Sequence, residues 1–154
     1  MSAVHDRLAQ AGYSLPTPAV PVAAYVPAAR TGNLIFTAGQ LPFVDGVLPR
    51  TGKVGTDLSA DEAAELAAVS AINAIAALTT VLDDLDKVTR VVKVTGFIAS
   101  DPSFTQHSIV MNAASEIFQI AFGDSGVHAR SSVGMAVLPL DSPVEVEIIV
   151  EVAD

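Results

Sequence analysis

The stretch VEVEIIVEV, residues 144–152, constrains this chain more than any other. Successive side chains of an extended chain point to opposite faces. Val144, Val146, Ile148, Val150 and Val152 therefore share one face, and Glu145, Glu147 and Glu151 share the other. A strand built this way needs partner strands at its edges and a packed layer over its apolar side.

The rest of the chain supplies both. Residues 22–40 read as two strands joined at RTGN, where Gly32 and Asn33 offer the positive φ of a tight hairpin. The second of these, residues 34–39, is apolar at nearly every position, as in a strand covered on both faces. Residues 42–55 carry Pro42, Gly46, Pro49 and Gly52 and read as a loop holding a small hairpin around Asp45-Gly46. Ser59 and Glu62 make a capping box. Leu66, Val69, Ile72, Ile75, Leu78 and Leu82 follow at helical spacing, which predicts a helix to about residue 82.

Residues 88–98, β-branched on both faces, read as a central strand. Asp101-Pro102 has the form of an N-cap and first position of a second helix, buried through Phe104, Met111, Phe118 and Phe122 and stopped by Gly123. Residues 131–138 and 144–152 make a final pair of strands across PLDSP. The order ββαβαββ gives an α+β class, one mixed sheet with two helices packed on one face. Two helices cannot cover both faces, so the apolar second sides of residues 34–39 and 88–98 are expected to be buried against other copies, in a homo-oligomer.

Ahead of this body, Pro16, Pro18 and Pro21 set off residues 1–21 as an N-terminal extension. Within it, residues 7–11 make about one or two helical turns, stable only when docked on the domain of residues 22–154.

A length of 154 residues suits one domain. Apolar residues are 51% of the chain, but no run approaches the ~20 residues of a membrane span. The first residues lack an apolar signal core and cysteine is absent, so the chain is expected to be cytoplasmic, with no membrane partner and no thiolate chemistry. A net charge of -9, with the basic residues scattered, disfavours nucleic acid.

His5, His107 and His128 stand far apart without ligand spacing, so no metal is expected. The glycines form no nucleotide-binding motif. Asp83 to Asp86, DDLD, reads as solvated surface after a helix. Arg130 differs in position, at the mouth of a strand after a glycine-rich turn. A surface salt bridge is its plain alternative. Arg130 and Glu145 are expected at the ends of neighbouring antiparallel strands, an anion clamp beside a carboxylate base.

TGNLIFTAGQLP (residues 31–42) and ARSSVGMAVLPLDSPVEVEI (residues 129–148) together resemble the reactive intermediate deaminase family, RidA or YjgF, also labelled endoribonuclease L-PSP. The N-terminal element resembles a subgroup that carries such an extension. The resemblance implies a chorismate-mutase-like fold assembled as a homotrimer with clefts between subunits. It implies that Arg130 grips a substrate carboxylate, that Glu145 positions the water attacking an imine carbon, and that Tyr25, Gly39, Asn112 and His128 line the cleft.

The implied activity is hydrolysis of enamines and imines such as 2-iminopropionate to a 2-keto acid and ammonia, without a cofactor. Ala38 stands where deaminating members usually have serine, Ser115 where a pocket aromatic is usual, and His128 where proline precedes the arginine by two residues. Those departures keep a second reading open, a noncatalytic module binding a small carboxylate or keto acid. RNA cleavage, suggested by the older label, is disfavoured by the net charge.

Overall fold

The alternating stretch forms the middle strand of a five-stranded sheet. The computed structural model describes residues 2–21 and 23–153. Along the chain lie α1 (Ala3–Gln10), β1 (Ala28–Thr31), β2 (Leu34–Thr37), α2 (Ala60–Leu78), β3 (Val88–Ala99), α3 (His107–Phe122), β4 (Ala129–Met135) and β5 (Val144–Val152). The sheet order is β1-β2-β5-β3-β4, and every pairing is antiparallel except β3 with β4. The fold is the expected mixed-sheet α+β, with α1 added ahead of ββαβαββ.

Val144, Val146, Ile148, Val150 and Val152 are all buried beneath the helices. Ile35, Val91, Val94 and Ile98 join them from the neighbouring strands, and Leu66, Ile75, Leu78, Met111, Ile117 and Phe118 meet them from α2 and α3. Ser59 caps α2 through the Glu62 amide while Glu62 accepts from the Ser59 amide, the reciprocal box read from the sequence. At the β1–β2 hairpin only Gly32 takes positive φ, +57°, so the turn has the glycine-first form and Asn33 does not share the role expected of it. Asp45 and Gly46 both take positive φ between Val44 and Val47, giving the small hairpin expected there.

Three expectations need correction. The final two strands are not neighbours, because β3 lies between β4 and β5; α3 carries the chain back so that β4 runs parallel to β3. The second helix starts at His107 rather than Pro102, because the Asp101 side chain turns onto the Ser103 amide and hydroxyl instead of capping a helix. The first long helix stops at Leu78, where Thr79 and Thr80 fold their hydroxyls back onto the Ala76 and Ala77 carbonyls. Strand β2 is covered on one face only within a single chain, leaving Phe36 40% exposed.

The N-terminal segment docks. Val4 and Leu8 are buried in the common core, Asp86 accepts the Ala3 and Val4 amides, and Arg7 Nε donates to the Ala121 carbonyl at the end of α3. The DDLD cluster is thus partly structural, Asp86 capping α1 while Asp83 pairs with Lys87. The expected domain start at Val22 lies outside the described residues. Among the described residues no helix is long and apolar enough to cross a membrane.

Candidate functional site

Arg130 lies at the start of edge strand β4, aligned with fully buried Val94 on β3, so its side chain leaves the sheet on the helix-covered side. There it meets α3. Nη1 donates to Asn112 Oδ1 and to Ser115 Oγ, each at 3.0 Å, and Nη2 donates to the Ser108 carbonyl at 3.3 Å. Residues 108, 112 and 115 share one face of a helix by their spacing. All three acceptors are neutral, and no carboxylate among the described residues pairs with Arg130, so it is not the surface salt bridge considered for it. A guanidinium has five N–H donors; with three engaged, Nε–H and one Nη2–H remain, the number a carboxylate takes in a bidentate grip.

His128 stands two residues earlier. Its Nδ1 is 2.6 Å from the Gly126 carbonyl and its Nε2 is 2.9 Å from Ser115 Oγ. Phe118 meets the ring edge-on, centroids 5.7 Å apart. Burial, and then the Arg130 charge, push its pKa down against the pull of the Gly126 carbonyl, which keeps the ring neutral near pH 7. A carbonyl only accepts, so Nδ1 carries the proton, and Nε2 accepts from the Ser115 hydroxyl.

Glu145 aligns with Phe97 on β3 and alternates with buried Val144 and Val146, so it points to the face away from the helices. A Cβ built on Gly39 would overlap Glu145 Oε1, so glycine at 39 is what lets the carboxylate lie against the backbone. Burial, and then the neighbouring Glu147 charge, raise the pKa of Glu145. Tyr25 is 57% exposed in the segment before β1, where the Pro27 carbonyl accepts the Ala38 amide.

The structure thus collects five of the six sequence-expected residues into two groups, with Tyr25 in neither. Arg130, Asn112 and His128 form one, joined through Ser115; Gly39 and Glu145 form the other. They do not meet in one chain, because β3 separates β4 from β5 and the two side chains leave opposite faces. The expectation of a clamp beside a base on neighbouring antiparallel strands is corrected accordingly. Ser115, visible in the sequence only as a lost aromatic, and the Ser108 carbonyl join the site unexpectedly; the 108, 112, 115 spacing on the second helix is the signal that marks them. Among the described residues no three His, Asp or Glu side chains gather as a metal-holding group.

Residues 5–152 match the protein-family profile described as "YjgF/chorismate mutase-like, putative endoribonuclease". The chain is 39% identical over 149 residues to Protein TCP17 of Trypanosoma cruzi, covering 96% of this chain and 93% of that one. Its fold is similar to that of Atu1372 from Agrobacterium tumefaciens, a protein of unknown function, at 40% identity and TM-score 0.91, covering 97% and 93% of the two chains. A Shewanella oneidensis MR-1 protein bearing the endoribonuclease designation is similar at 28% identity and TM-score 0.93, covering 97% and 99%. The Escherichia coli protein TdcF, whose crystal structure holds bound serine, is similar at 25% identity and TM-score 0.60, covering 92% and 97%.

Proposed function

The chain belongs to the YjgF/chorismate mutase-like family, and we propose that it hydrolyses small 2-imino acids, such as 2-iminopropionate, to a 2-keto acid and ammonia in a cleft shared between copies of the chain. The observation that carries this reading is the state of Arg130, held by three neutral acceptors with two donors to spare. A substrate carboxylate fits those two N–H groups and neutralises the charge.

With the carboxylate fixed, the adjacent C=N carbon is the electrophile. Glu145 from a second copy takes a proton from water as its oxygen bonds to that carbon. The nitrogen takes up that proton from Glu145. The carbinol hydroxyl gives up its own proton to the nitrogen by way of the same carboxylate as C=O forms, and the C–N bond breaks to release ammonia. No cofactor enters this balance. The separation of Arg130 and Glu145 onto opposite faces supports a second copy as the source of the base, and a homotrimer is the assembly that family resemblance implies. The partly exposed Phe36 and Val133 give the helix-free face apolar area for such packing.

The second reading is a noncatalytic module that holds a small carboxylate at Arg130. Ala38 favours it by offering no hydroxyl beside Gly39. Serine, the ligand of the TdcF structure, is itself a small carboxylate and supports the anion site in both readings. RNA as substrate is disfavoured by the net charge of -9 despite the family's older designation.

Generating 2-aminoacrylate with a dehydratase and following loss of the imine separates the two. Acceleration by wild type and its loss in both Arg130→Ala and Glu145→Ala supports the deaminase. A wild type no faster than buffer that still binds pyruvate through Arg130 leaves the binding module.

A further inference from the structure

Two of the positions at which this chain departs from the pattern it resembles touch each other: Ser115 Oγ lies 2.9 Å from His128 Nε2. Neither takes a chemical step in the proposed imine reaction, where Ser115 serves only to hold Arg130. Their arrangement has the parts of a nucleophilic centre: a hydroxyl, a base within hydrogen-bond reach, and a third group that orients the base. The Gly126 carbonyl, 2.6 Å from Nδ1, selects the tautomer whose Nε2 lone pair faces the serine, and Phe118 holds the ring edge-on. On its other side the same Oγ receives Arg130 Nη1–H at 3.0 Å. A hydroxyl set between a neutral imidazole and a guanidinium loses its proton more readily than a free one, because the base takes the proton and the cation steadies the oxyanion. The group is half-buried rather than sealed, with the Asn112 end of the cluster exposed.

We propose that Ser115 is a base-activated nucleophile, and that Ser115, His128 and Arg130 form an acyl-transfer site for small esters, an activity separate from imine hydrolysis. In the first step Oγ bonds to the ester carbonyl carbon while its proton passes to His128 Nε2. The carbonyl electron pair moves onto oxygen, which meets the spare Arg130 N–H donors. The tetrahedral carbon then reforms C=O and expels the alkoxide, which leaves as alcohol with the proton from His128. Water repeats the sequence on the acyl-serine and releases the carboxylic acid. Ester and water become acid and alcohol, with no further reactant.

The probes are diisopropyl fluorophosphate, read by mass spectrometry of the intact and digested full-length protein, and p-nitrophenyl acetate. The expected result is one phosphoryl adduct per chain on the peptide containing Ser115, absent from Ser115→Ala, with p-nitrophenol release lost in parallel. His128→Gln keeps a hydrogen-bond acceptor but not a base, and is expected to slow both by about a hundredfold. An adduct elsewhere, no adduct, or labelling at wild-type rate in His128→Gln overturns the proposal, and the glutamine variant decides it even where the alanine variant folds poorly. Running the imine assay on the same wild-type preparation keeps the ideas apart. Labelling without imine hydrolysis sinks only the deaminase reading, and imine hydrolysis without labelling sinks only this one.

Discussion

Arg130 and Glu145 leave the same sheet on opposite faces, with β3 lying between the strands that carry them. If catalysis needs both, each site draws its arginine from one chain and its glutamate from another. Mixing unfolded Arg130→Ala and Glu145→Ala chains in equal amounts and refolding them together is then expected to restore about a quarter of the sites, from two inactive parents. An inactive mixture that assembles normally, checked by sedimentation, refutes the shared cleft.

Arg130→Lys keeps the charge but not the fork. Pyruvate affinity, measured by titration calorimetry, is expected to fall roughly tenfold, the loss of about 1.5 kcal/mol that one charge-assisted hydrogen bond contributes. Equal affinity in the lysine variant means that the anion is held as a point charge.

Glu145 has a raised pKa in the folded chain, from burial first and Glu147 second. Between the unfolded and folded values the native state binds the extra proton, so stability falls as pH rises through that window and stays lower above it. Glu145→Gln is therefore expected to melt higher than wild type at neutral pH, with the difference closing below about pH 4, where both states of the carboxyl are protonated. On the proposed reaction, imine hydrolysis is expected to move the other way and to rise with pH as the carboxylate forms. Melting curves at several pH values test the first statement and rate profiles the second.

Gly39→Ala forces a methyl group onto Glu145 Oε1. The carboxylate must swing away, at an overpacking cost of about 1–3 kcal/mol. The expected outcome is a folded protein with intact pyruvate binding and depressed imine hydrolysis. Loss of both together would mean that the two groups of residues are not independent.

Asp86 holds α1 through the Ala3 and Val4 amides, and those contacts lower its pKa. The stabilisation is present above the ordinary aspartate range and disappears as pH falls through the lowered value. Ser2 remains the N-cap of α1, so Asp86→Ala is expected to cost about 1 kcal/mol, from the two first-turn amides that lose their side-chain acceptor. Hydrogen exchange should quicken in α1 while β3 and β5 stay protected.

Strict alternation made β5 legible to the residue, Val144 to Val152, and positive-φ chemistry did the same for Asp45-Gly46 and for Gly123 at the end of α3. Strand order was not legible in that way. Nothing local in residues 129–152 says that β3 inserts between the last two strands; that follows from α3 packing over the sheet and returning the chain parallel. The start of α3 is not legible because an aspartate followed by proline serves a turn as readily as a helix cap. At the site, Arg130 stood out by its position. Of its three partners only Asn112 did, since another is a backbone carbonyl and the third a serine visible only as a missing aromatic.

The β3–α3–β4 crossover gives the Arg130 group an independence of its own. Ser108, Asn112 and Ser115 ride on the helix, His128 and Arg130 on the segment that follows it, and all five fall within one contiguous stretch. Gly39 and Glu145 belong to β2's exit and to β5, outside that stretch. On the proposed reaction, a lineage can rewrite what the arginine group recognises through changes clustered in some twenty codons, leaving the half assigned to water inherited intact. On the same proposal, diversity within such a family is expected to accumulate unevenly, concentrated around Arg130 and sparse around Glu145.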